Sequence, residues 1–281
     1  MGRYDDFLLI SDFDRTLTSH QDSIPQANLD AIEYFLSEGG VFTVATGRSV
    51  PLFRTRAMSV PHNAPPILFN GAVCYDYQRD LPLFCHEMPS SSRELAQDLV
   101  AHYPQLRIEV QNLTGHYPIG AVSDDGYANT QGVCMQRLPI DQIPGPFIKI
   151  ILVGPFTPTP EYPDFFRGCS AKEEAYYSTI YQELTARYPD YSLVRSAPRI
   201  IEINLAGVSK GRAAQELKQS LGRKILVCIG DAPNDLSMLQ AADLAFIPAN
   251  ASEPLLKYGF SIADDCDKGA VASVIHSLPS I

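Results

Sequence analysis

Short apolar runs of strand length recur along the chain, and each one ends in a small group of polar residues. The clearest runs are Leu8-Leu9-Ile10 before Ser11-Asp12, Val41 to Ala45 before Thr46-Gly47-Arg48, and Ile225 to Ile229 before Gly230-Asp231. Segments with the helical spacing of apolar residues lie between them, which predicts alternating strands and helices. That alternation is typical of a parallel sheet with helices on both faces, so we expect a doubly wound α/β core.

The helical segments have recognisable boundaries. A helix is expected over residues 28–37, because its apolar residues share one face and Gly39-Gly40 follows it. Another is expected between Ser209, whose hydroxyl can cap the first turn, and Gly222, which ends the helix. The remaining core elements are a helix over residues 234–241 and strands over residues 66–69 and 244–247.

The pattern changes between Gly71 and Ser209, where proline and tyrosine are frequent. The segment is far too long for a single crossover between two strands. Capping-box sequences starting at Ser91 and Ser170 predict two helices. Apolar or alternating runs over residues 106–110, 148–153 and 200–203 predict strands.

We therefore expect two domains. The α/β core is formed by residues 1–81 and 198–281, and an inserted α+β domain is formed by residues 82–197. A chain of 281 residues is long enough for one core domain and a second, smaller one.

The six cysteines are scattered along the chain and form no CxxC pair. They are Cys74, Cys85, Cys134, Cys169, Cys228 and Cys266. In a chain of this size, that distribution predicts free thiols in a reducing compartment. It predicts neither a zinc site nor a disulfide framework.

Two aspartates separated by one residue directly follow the first strand, in Asp12-Phe13-Asp14-Arg15-Thr16. Carboxylates this close together repel each other and are costly to bury, and a divalent cation relieves that cost. Magnesium prefers oxygen ligands of this kind, and an ionised aspartate can also attack phosphorus as a nucleophile. The alternative interpretation is a solvated acidic turn, which a single DxDxT motif does not exclude.

A second acidic group, Gly230-Asp231-Ala232-Pro233-Asn234-Asp235, follows a later strand. Taken alone, it could equally be a turn that leads into an N-capped helix, since Asn and Asp favour both. Ligands of doubly wound sheets bind at the carboxyl ends of the strands, and both acidic groups are expected at that edge. Two acidic strand ends in one sheet are much harder to explain as ordinary turns.

Two further groups suit a phosphate ligand. Lys210 stands at the start of a helix, beside the positive end of the helix dipole, although a lone lysine is usually a surface residue. Thr46-Gly47-Arg48 offers a hydroxyl and backbone N–H groups at a strand end, although it could also be a plain β-to-α turn.

The formal charge of −10 limits the expected partners. Such a surface repels nucleic acid and anionic membranes, and it also repels phosphorylated ligands unless their site is locally positive. No apolar run approaches the roughly 20 residues of a membrane-spanning helix. The apolar stretch from Phe7 to Ile10 is too short for a secretory signal, so we expect a cytoplasmic protein.

The order of these motifs resembles that of the haloacid dehalogenase superfamily phosphatases: DxDxT, then Thr-Gly, then a lysine at a helix start, then GDxxND. The long insertion after Asn70-Gly71 is similar to that of the Cof-like branch, which carries an α+β cap of the C2 type. The resemblance covers the layout of the whole chain. It implies a catalytic core, a cap that sets substrate specificity, and magnesium-dependent hydrolysis of a small phosphomonoester, such as a sugar phosphate.

The resemblance also implies a role for each acidic residue. Asp12 would be the nucleophile that becomes phosphorylated, and Asp14 would protonate the leaving oxygen and then activate water. Mg²⁺ would be bound by the side chains of Asp12 and Asp231 and by the backbone carbonyl of Asp14. Asp235 would orient the metal site, as a ligand or through a ligand.

Other residues would hold the phosphoryl oxygens, namely Thr46, Gly47, Lys210 and Asn234. Arg15 and Arg48 are possible substrate contacts. Arg15 departs from the family pattern, which most often has glycine at this position, and it could instead point to solvent or form an ion pair.

Two alternative functions remain open at this stage. A phosphotransferase or mutase would use the same aspartyl-phosphate and return the group to a hydroxyl. A non-catalytic binding protein of this fold would be expected to lack one of four residues, and all four are present: Asp12, Asp14, Lys210 and Asp231. Within the insertion no motif marks the specificity residues, and His116, Tyr117, Arg195 and Arg199 are only candidates.

Overall fold

The computed structural model describes residues 2–120, 133, 135–156, 159–162 and 168–279. They form two compact units. The first contains the described residues of the ranges 1–48, 54–85 and 209–281, and the second contains those of the ranges 49–53 and 86–208.

The strands, in chain order, are β1 (Phe7–Asp12), β2 (Val41–Ala45), β3 (Ile67–Leu68), β4 (Val73–Asp76), β5 (Leu81–Cys85), β6 (Arg107–Gln111), β7 (His116–Ile119), β8 (Lys149–Val153), β9 (Tyr191–Ala197), β10 (Ile200–Leu205), β11 (Ile225–Ile229), β12 (Leu244–Pro248) and β13 (Ser261–Ala263). The helices are α1 (Gln26–Ser37), α2 (Val50–Ala57), α3 (Ser92–His102), α4 (Ala171–Arg187), α5 (Lys210–Ser220), α6 (Leu236–Ala241), α7 (Glu253–Leu256) and α8 (Ala270–Ser277). Short helical turns cover Phe13–Leu17, Phe69–Gly71, Ile140–Gln142, Pro233–Asp235 and Cys266–Lys268.

The first unit is built on an eight-stranded sheet with the order β13-β12-β11-β1-β2-β3-β4-β5. The strands from β13 to β3 are parallel, and β4 and β5 add an antiparallel edge. Alternate residues of β1 and β11, such as Leu8 and Leu226, share one buried cluster with Leu217 of α5. Residues on the opposite face, such as Leu9 and Val227, are also fully buried. The predicted doubly wound α/β core is therefore confirmed.

The strand order places the polar motifs together. The chain builds outward from β1 through β2 and β3 in one direction, and from β11 through β12 and β13 in the other. In the register of the sheet, Ser11 is level with Val44 of β2 and with Ile229 of β11. The residues that follow these three positions therefore lie side by side at the carboxyl edge. That edge, where the strand order reverses, is where doubly wound sheets bind their ligands.

The second unit is built on a five-stranded antiparallel sheet with the order β7-β6-β8-β10-β9. One face of this sheet is apolar, because alternate residues such as Ile108, Ile150 and Ile203 join a buried cluster. Leu99 of α3 and Leu184 of α4 belong to the same cluster. The unit thus has its own hydrophobic core and the α+β character predicted for the insertion.

The opposite face of the second sheet carries buried polar residues that pair with one another. Lys149 donates to Glu202 across β8 and β10, with Nζ and Oε2 2.8 Å apart. Glu109 lies between Arg107 and His116, at 2.9 Å and 3.0 Å from their nitrogens. Buried charges are costly unless they are paired in this way.

The sheets correct the predicted domain boundaries. Residues 82–85 were assigned to the insertion, but they belong to β5, which pairs with β4 of the first sheet. Residues 198–208 were assigned to the core, but β10 pairs with β8 and β9 of the second sheet. A tight hairpin joins β4 to β5 and another joins β9 to β10, so each pair of strands stays in one unit. The boundaries between the two units therefore fall at residues 85/86 and 208/209.

The two predicted capping boxes have different outcomes. Ser170 and Glu173 form one at the start of α4, as predicted. Ser91 does not cap α3: its backbone is already helical, and its side chain makes no capping hydrogen bond. Among the helices that the structure describes, none is long and apolar enough to cross a lipid bilayer.

Candidate active site

The DxDxT segment turns sharply at the end of β1. The N–H of Thr18 donates to the carbonyl of Phe13 at 3.0 Å, and the N–H of Arg15 donates to the hydroxyl of Thr18 at 3.1 Å. Asn250 holds the turn from outside by donating to the carbonyl of Arg15 at 2.9 Å. Arg15 itself has φ 60°, in the left-handed region that glycine adopts most easily. The backbone therefore explains why glycine suits this position better than arginine.

Three carboxylates and one ammonium meet at the edge of the sheet. Asp12, Asp231 and Asp235 each offer an oxygen, and these oxygens lie within 4.8 Å of one another. Lys210 Nζ donates to Asp12 Oδ1 and to Asp235 Oδ1, at 2.6 Å in each case. All four residues are buried. The two acidic motifs, predicted to share one edge, are brought together here with the predicted lysine.

Hydrogen bonds and close packing fix the second acidic motif. The hydroxyl of Thr16 donates to Asp231 Oδ1 at 3.3 Å, which joins the first motif to the second. The N–H of Ala232 donates to Asp235 Oδ2 at 3.0 Å. A Cβ on Gly230 would lie only 2.5 Å from Cβ and Cγ of Asp235, so only glycine fits there. These contacts aim both carboxylates at Asp12.

The cluster holds more negative than positive charge. Three ionised carboxylates beside one ammonium would leave an excess of two negative charges in a buried place. Burial, followed by the charge of Asp235, raises the pKa of Asp231 to about 7 and the pKa of Asp12 well above its ordinary range. Burial acts to lower the pKa of Lys210, but Asp12 and Asp235 outweigh it and raise the pKa, so the lysine stays charged.

The donor set fits a magnesium ion. All the candidate ligands in the cluster are carboxylate oxygens, which are the ligands this cation prefers. A divalent cation also carries the charge that would balance the excess. Asp14 was predicted to contribute its backbone carbonyl, and its carboxylate is not among the clustered ligands.

The side chain of Asp14 is instead paired with Arg48. Arg48 Nε donates to Asp14 Oδ2 at 3.0 Å, and Nη2 donates to Oδ1 at 2.6 Å. The guanidinium also lies over the ring of Phe13, 5.2 Å from its centroid. About half of the Asp14 side chain is exposed, so its carboxylate remains open to solvent. Arg48 was predicted as a possible substrate contact, and its pairing with Asp14 was not predicted.

Amide and hydroxyl groups also lie at the carboxyl edge of the sheet, after β2, β3 and β11. The N–H of Arg48 donates to the hydroxyl of Thr46 at 3.2 Å. A Cβ on Gly47 would lie 2.9 Å from Asn70 Oδ1, so the absence of a side chain lets the two segments approach. Asn234 Nδ2 donates to Asn70 Oδ1 at 3.4 Å. Within the described part of the chain, the buried Asn234 Oδ1 has no hydrogen-bond partner.

Asn70 was not among the predicted site residues. Its backbone has φ 57°, a left-handed conformation that asparagine tolerates better than most residues. The Asn-Gly pair directly after β3 was the available indication, because such pairs mark tight turns.

The candidate residues of the insertion have structural partners in the second unit. Tyr117 packs in the apolar cluster of that unit, so its side chain is part of the core. Arg195 is paired with Glu174, and Arg199 with Glu173. His116 is buried beside Glu109.

Comparison with known proteins agrees with the fold and the motif order. A sequence profile of the haloacid dehalogenase-like hydrolases matches residues 9–131 and 159–275. The protein YxeH of Bacillus subtilis (strain 168) is 38% identical over 90 residues. That stretch covers 31% of this chain and 33% of YxeH, so the similarity spans about a third of that relative.

Several solved structures share the fold over nearly the whole chain. SMU.1108c from Streptococcus mutans UA159 has a TM-score of 0.79 and 18% identity, and the match covers 96% of this chain and 97% of that one. BT1666 from Bacteroides thetaiotaomicron, one of the phosphatases of its superfamily, has a TM-score of 0.77 and 18% identity, with 98% and 95% covered. The subclass IIB sugar phosphatase BT4131 has a TM-score of 0.73 and 17% identity, with 96% and 97% covered.

These structures establish the fold alone, because their sequence identity is low. The sequence profile covers most of the chain and includes both acidic motifs and the lysine. The family resemblance inferred from the motifs is therefore confirmed: the chain belongs to the haloacid dehalogenase-like hydrolases.

Proposed function

We propose that the protein is a magnesium-dependent phosphatase that hydrolyses a small phosphomonoester through a phosphorylated Asp12. The observation that carries the proposal is the buried cluster of Asp12, Asp231 and Asp235 around Lys210. A buried excess of negative charge is unfavourable unless a cation balances it. A site that holds a divalent cation and an ammonium side by side suits a ligand that is itself a dianion, such as a phosphoryl group.

In the first step, a carboxylate oxygen of Asp12 attacks phosphorus. The new bond joins that oxygen to phosphorus, and the bond from phosphorus to the ester oxygen of the substrate breaks. Asp14, two residues along the same turn, takes part in this step in its protonated form and gives that proton to the leaving oxygen, which departs as an alcohol. When bound, Mg²⁺ would be held by Asp12, Asp231 and the backbone carbonyl of Asp14, oriented by Asp235, and would neutralise charge on the phosphoryl oxygens.

In the second step, water attacks the phosphorus of the phosphorylated Asp12. Asp14 takes a proton from that water, the bond between Asp12 and phosphorus breaks, and inorganic phosphate leaves. Asp12 and Asp235 keep Lys210 charged before the reaction. While Asp12 is phosphorylated, Asp235 still holds the ammonium, which can stabilise the phosphoryl oxygens. Thr46, the N–H groups near Gly47, and Asn234 are the further groups proposed to hold those oxygens.

The substrate proposed is a small phosphorylated metabolite, such as a sugar phosphate. The fold of the chain is similar to that of a sugar phosphatase over nearly its whole length, which supports this class. The charge of −10 gives no long-range attraction to anions, so affinity must come from the site itself.

The test is release of inorganic phosphate from a panel of phosphorylated metabolites, with Mg²⁺ present and no acceptor added. Asp12→Asn should lose at least about 10³-fold in kcat, as expected when a covalent nucleophile is removed. An unmodified chain treated with excess chelator should be inactive and should recover on addition of Mg²⁺.

Asp243→Asn is the matched control, because Asp243 lies on the surface in an ion pair with Lys218. It should retain normal activity. Steady phosphate release by Asp12→Asn at a near-native rate would overturn the mechanism. Transfer of phosphate only in the presence of a sugar acceptor would show that the protein is a phosphotransferase.

A further inference from the structure

A second group of metal-ligating side chains lies apart from the acidic motifs. It consists of His20, Asp265, Cys266 and Asp267, whose ligand atoms all lie within 4.8 Å of one another. His20 follows the DxDxT turn, and the other three residues form the turn before α8. The group differs from the acidic cluster in chemistry, because it combines an imidazole, a thiol and two carboxylates.

The distances within the group match a tetrahedral metal site. His20 Nδ1 lies 3.1 Å from Asp267 Oδ2 and 3.4 Å from Cys266 Sγ. Cys266 Sγ lies 3.9 Å from Asp267 Oδ1. A zinc ion with its usual bond lengths, about 2.3 Å to sulfur and 2.0–2.2 Å to nitrogen or oxygen, places its ligand atoms roughly 3.3–3.6 Å apart. The three side chains therefore need only small movements to share one ion.

We propose that His20, Cys266 and Asp267 bind a zinc ion, with Asp265 or water as the fourth ligand. A thiolate and an imidazole favour zinc over magnesium, which prefers oxygen ligands only. The acidic cluster around Asp12 has the opposite preference. The two sites are thus expected to select different metals from the same solution.

The burial of the ligands suits an ion that enters from solvent. The Cys266 side chain is fully buried, whereas the side chains of His20 and Asp267 are 28% and 44% exposed. Zinc binds cysteine as the thiolate, so its binding would release the thiol proton into solvent, while the two carboxylates offset the charge of the ion.

The position of the group indicates a structural role. Asn250 accepts from the N–H of Cys266 at 2.9 Å and donates to the carbonyl of Arg15 at 2.9 Å. The turn that contains Cys266 is thus already linked to the DxDxT turn on one side. A metal bond to His20 would tie it to the segment that leaves the DxDxT turn on the other side. We infer that zinc would hold these two loops together without taking part in the reaction.

Spacing along the chain could not reveal this group. His20 and Cys266 are 246 residues apart, and the usual zinc patterns place their cysteines and histidines within a few residues of one another. For that reason the scattered cysteines predicted no zinc site. The fold brings the ligands together because α8, which follows the Cys266 turn, packs against α1.

The test uses the full chain, first treated with chelator and then given saturating Mg²⁺ to fill the acidic cluster. Addition of Co²⁺, a spectroscopic substitute for zinc, should give a thiolate-to-cobalt charge-transfer band and one bound ion per chain. Zn²⁺ should displace it and should raise the melting temperature. Cys266→Ser and His20→Gln should each lower the zinc affinity by at least about 100-fold, since loss of outer-sphere partners alone costs 10- to 100-fold.

Cys169→Ser is the matched control, because Cys169 is a half-buried thiol in the other unit. It should leave the cobalt band unchanged, and so should Asp12→Asn, which alters only the acidic cluster. Absence of the charge-transfer band, or an unchanged zinc affinity in both Cys266→Ser and His20→Gln, would overturn the proposal. The group would then be an ion pair of His20 and Asp267 beside an unreactive thiol.

Discussion

Arg48 donates two hydrogen bonds to the carboxylate of Asp14, from Nε at 3.0 Å and from Nη2 at 2.6 Å. The planar guanidinium matches the carboxylate at two points, which a lysine cannot reproduce. Arg48 thereby fixes the orientation of the residue that we propose as the general acid and base.

Replacement of Arg48 with lysine is therefore expected to slow the reaction without weakening substrate binding. The charge is kept, but the two-point contact is lost and the carboxylate of Asp14 can rotate. We expect kcat to fall by roughly 10- to 100-fold, the cost of a small misplacement of a catalytic group, with little change in KM. Arg54→Lys, in an exposed ion pair with Asp80, is the control. If KM rises and kcat is unchanged, Arg48 contacts the substrate.

Removal of the buried lysine should destabilise the fold. Lys210→Met leaves three buried carboxylates without their counter-charge, and we expect a loss of about 3 kcal/mol in the free energy of unfolding at pH 8, measured with urea in the absence of metal. The loss should shrink toward pH 5, because protonation of the carboxylates relieves the repulsion. Lys218→Met, at a partly exposed pair with Asp243, should cost about 1 kcal/mol or less. Equal losses for the two variants would contradict the ionised cluster.

Stability in the absence of metal should depend on pH through Asp231. The pKa of this carboxyl is raised to about 7 in the folded chain, above its value of about 4 when unfolded. The folded chain therefore favours the protonated carboxyl. Its stabilising contribution to the free energy of unfolding is fully present below pH 4 and is lost as the pH rises through 7. Mg²⁺ binds the ionised carboxylates, so it should raise the melting temperature more at pH 8 than at pH 5. The difference should be smaller in Asp231→Asn; the same Mg²⁺ shift at both pH values would argue against binding at this carboxyl.

The left-handed backbone of Arg15 gives a prediction about stability that is separate from charge. Arg15→Gly and Arg15→Ala remove the same guanidinium, but only glycine adopts φ 60° without steric cost. The glycine variant should be more stable than the alanine variant by about 1 kcal/mol, as measured by urea unfolding. An alanine variant as stable as the glycine variant would mean that the turn changes conformation. A rise in KM shared by both would show that the guanidinium contacts the substrate.

The sequence predicted the parts of the structure that depend on local pattern. The strands β1, β2 and β11 end where their apolar runs end, and the side chains of Asp12, Lys210 and Asp231 meet because parallel strands share one carboxyl edge. Lys210 was the hardest of these to identify, since a lysine at a helix start is usually exposed, yet here it is fully buried. Lys210 was identified by its place in the order of motifs, between Thr46-Gly47 and the second acidic group, and not by the residues next to it in the sequence.

The contacts that the sequence did not predict join side chains with no shared local pattern. Arg48 and Asp14 were each assigned a role, but nothing in their spacing says that they pair. The same holds for His20 and Cys266, which approach only when the terminal helix packs on the first. The domain boundaries were misplaced for a related reason: hairpin partners such as β9 and β10 are recognised by their pairing, and composition alone does not separate them from the core.

The central position of β1 sets the order in which the protein can assemble during synthesis. Residues 7–12 are made long before their neighbour β11, which is formed by residues 225–229. The five-stranded sheet of the second unit lies entirely within residues 107–205, so all of its strands emerge before β11. Because domains generally fold as units while the chain is made, the second unit can form first. Asp12 then lies on an unfinished sheet until the later part of the chain supplies Lys210, Asp231 and Asp235.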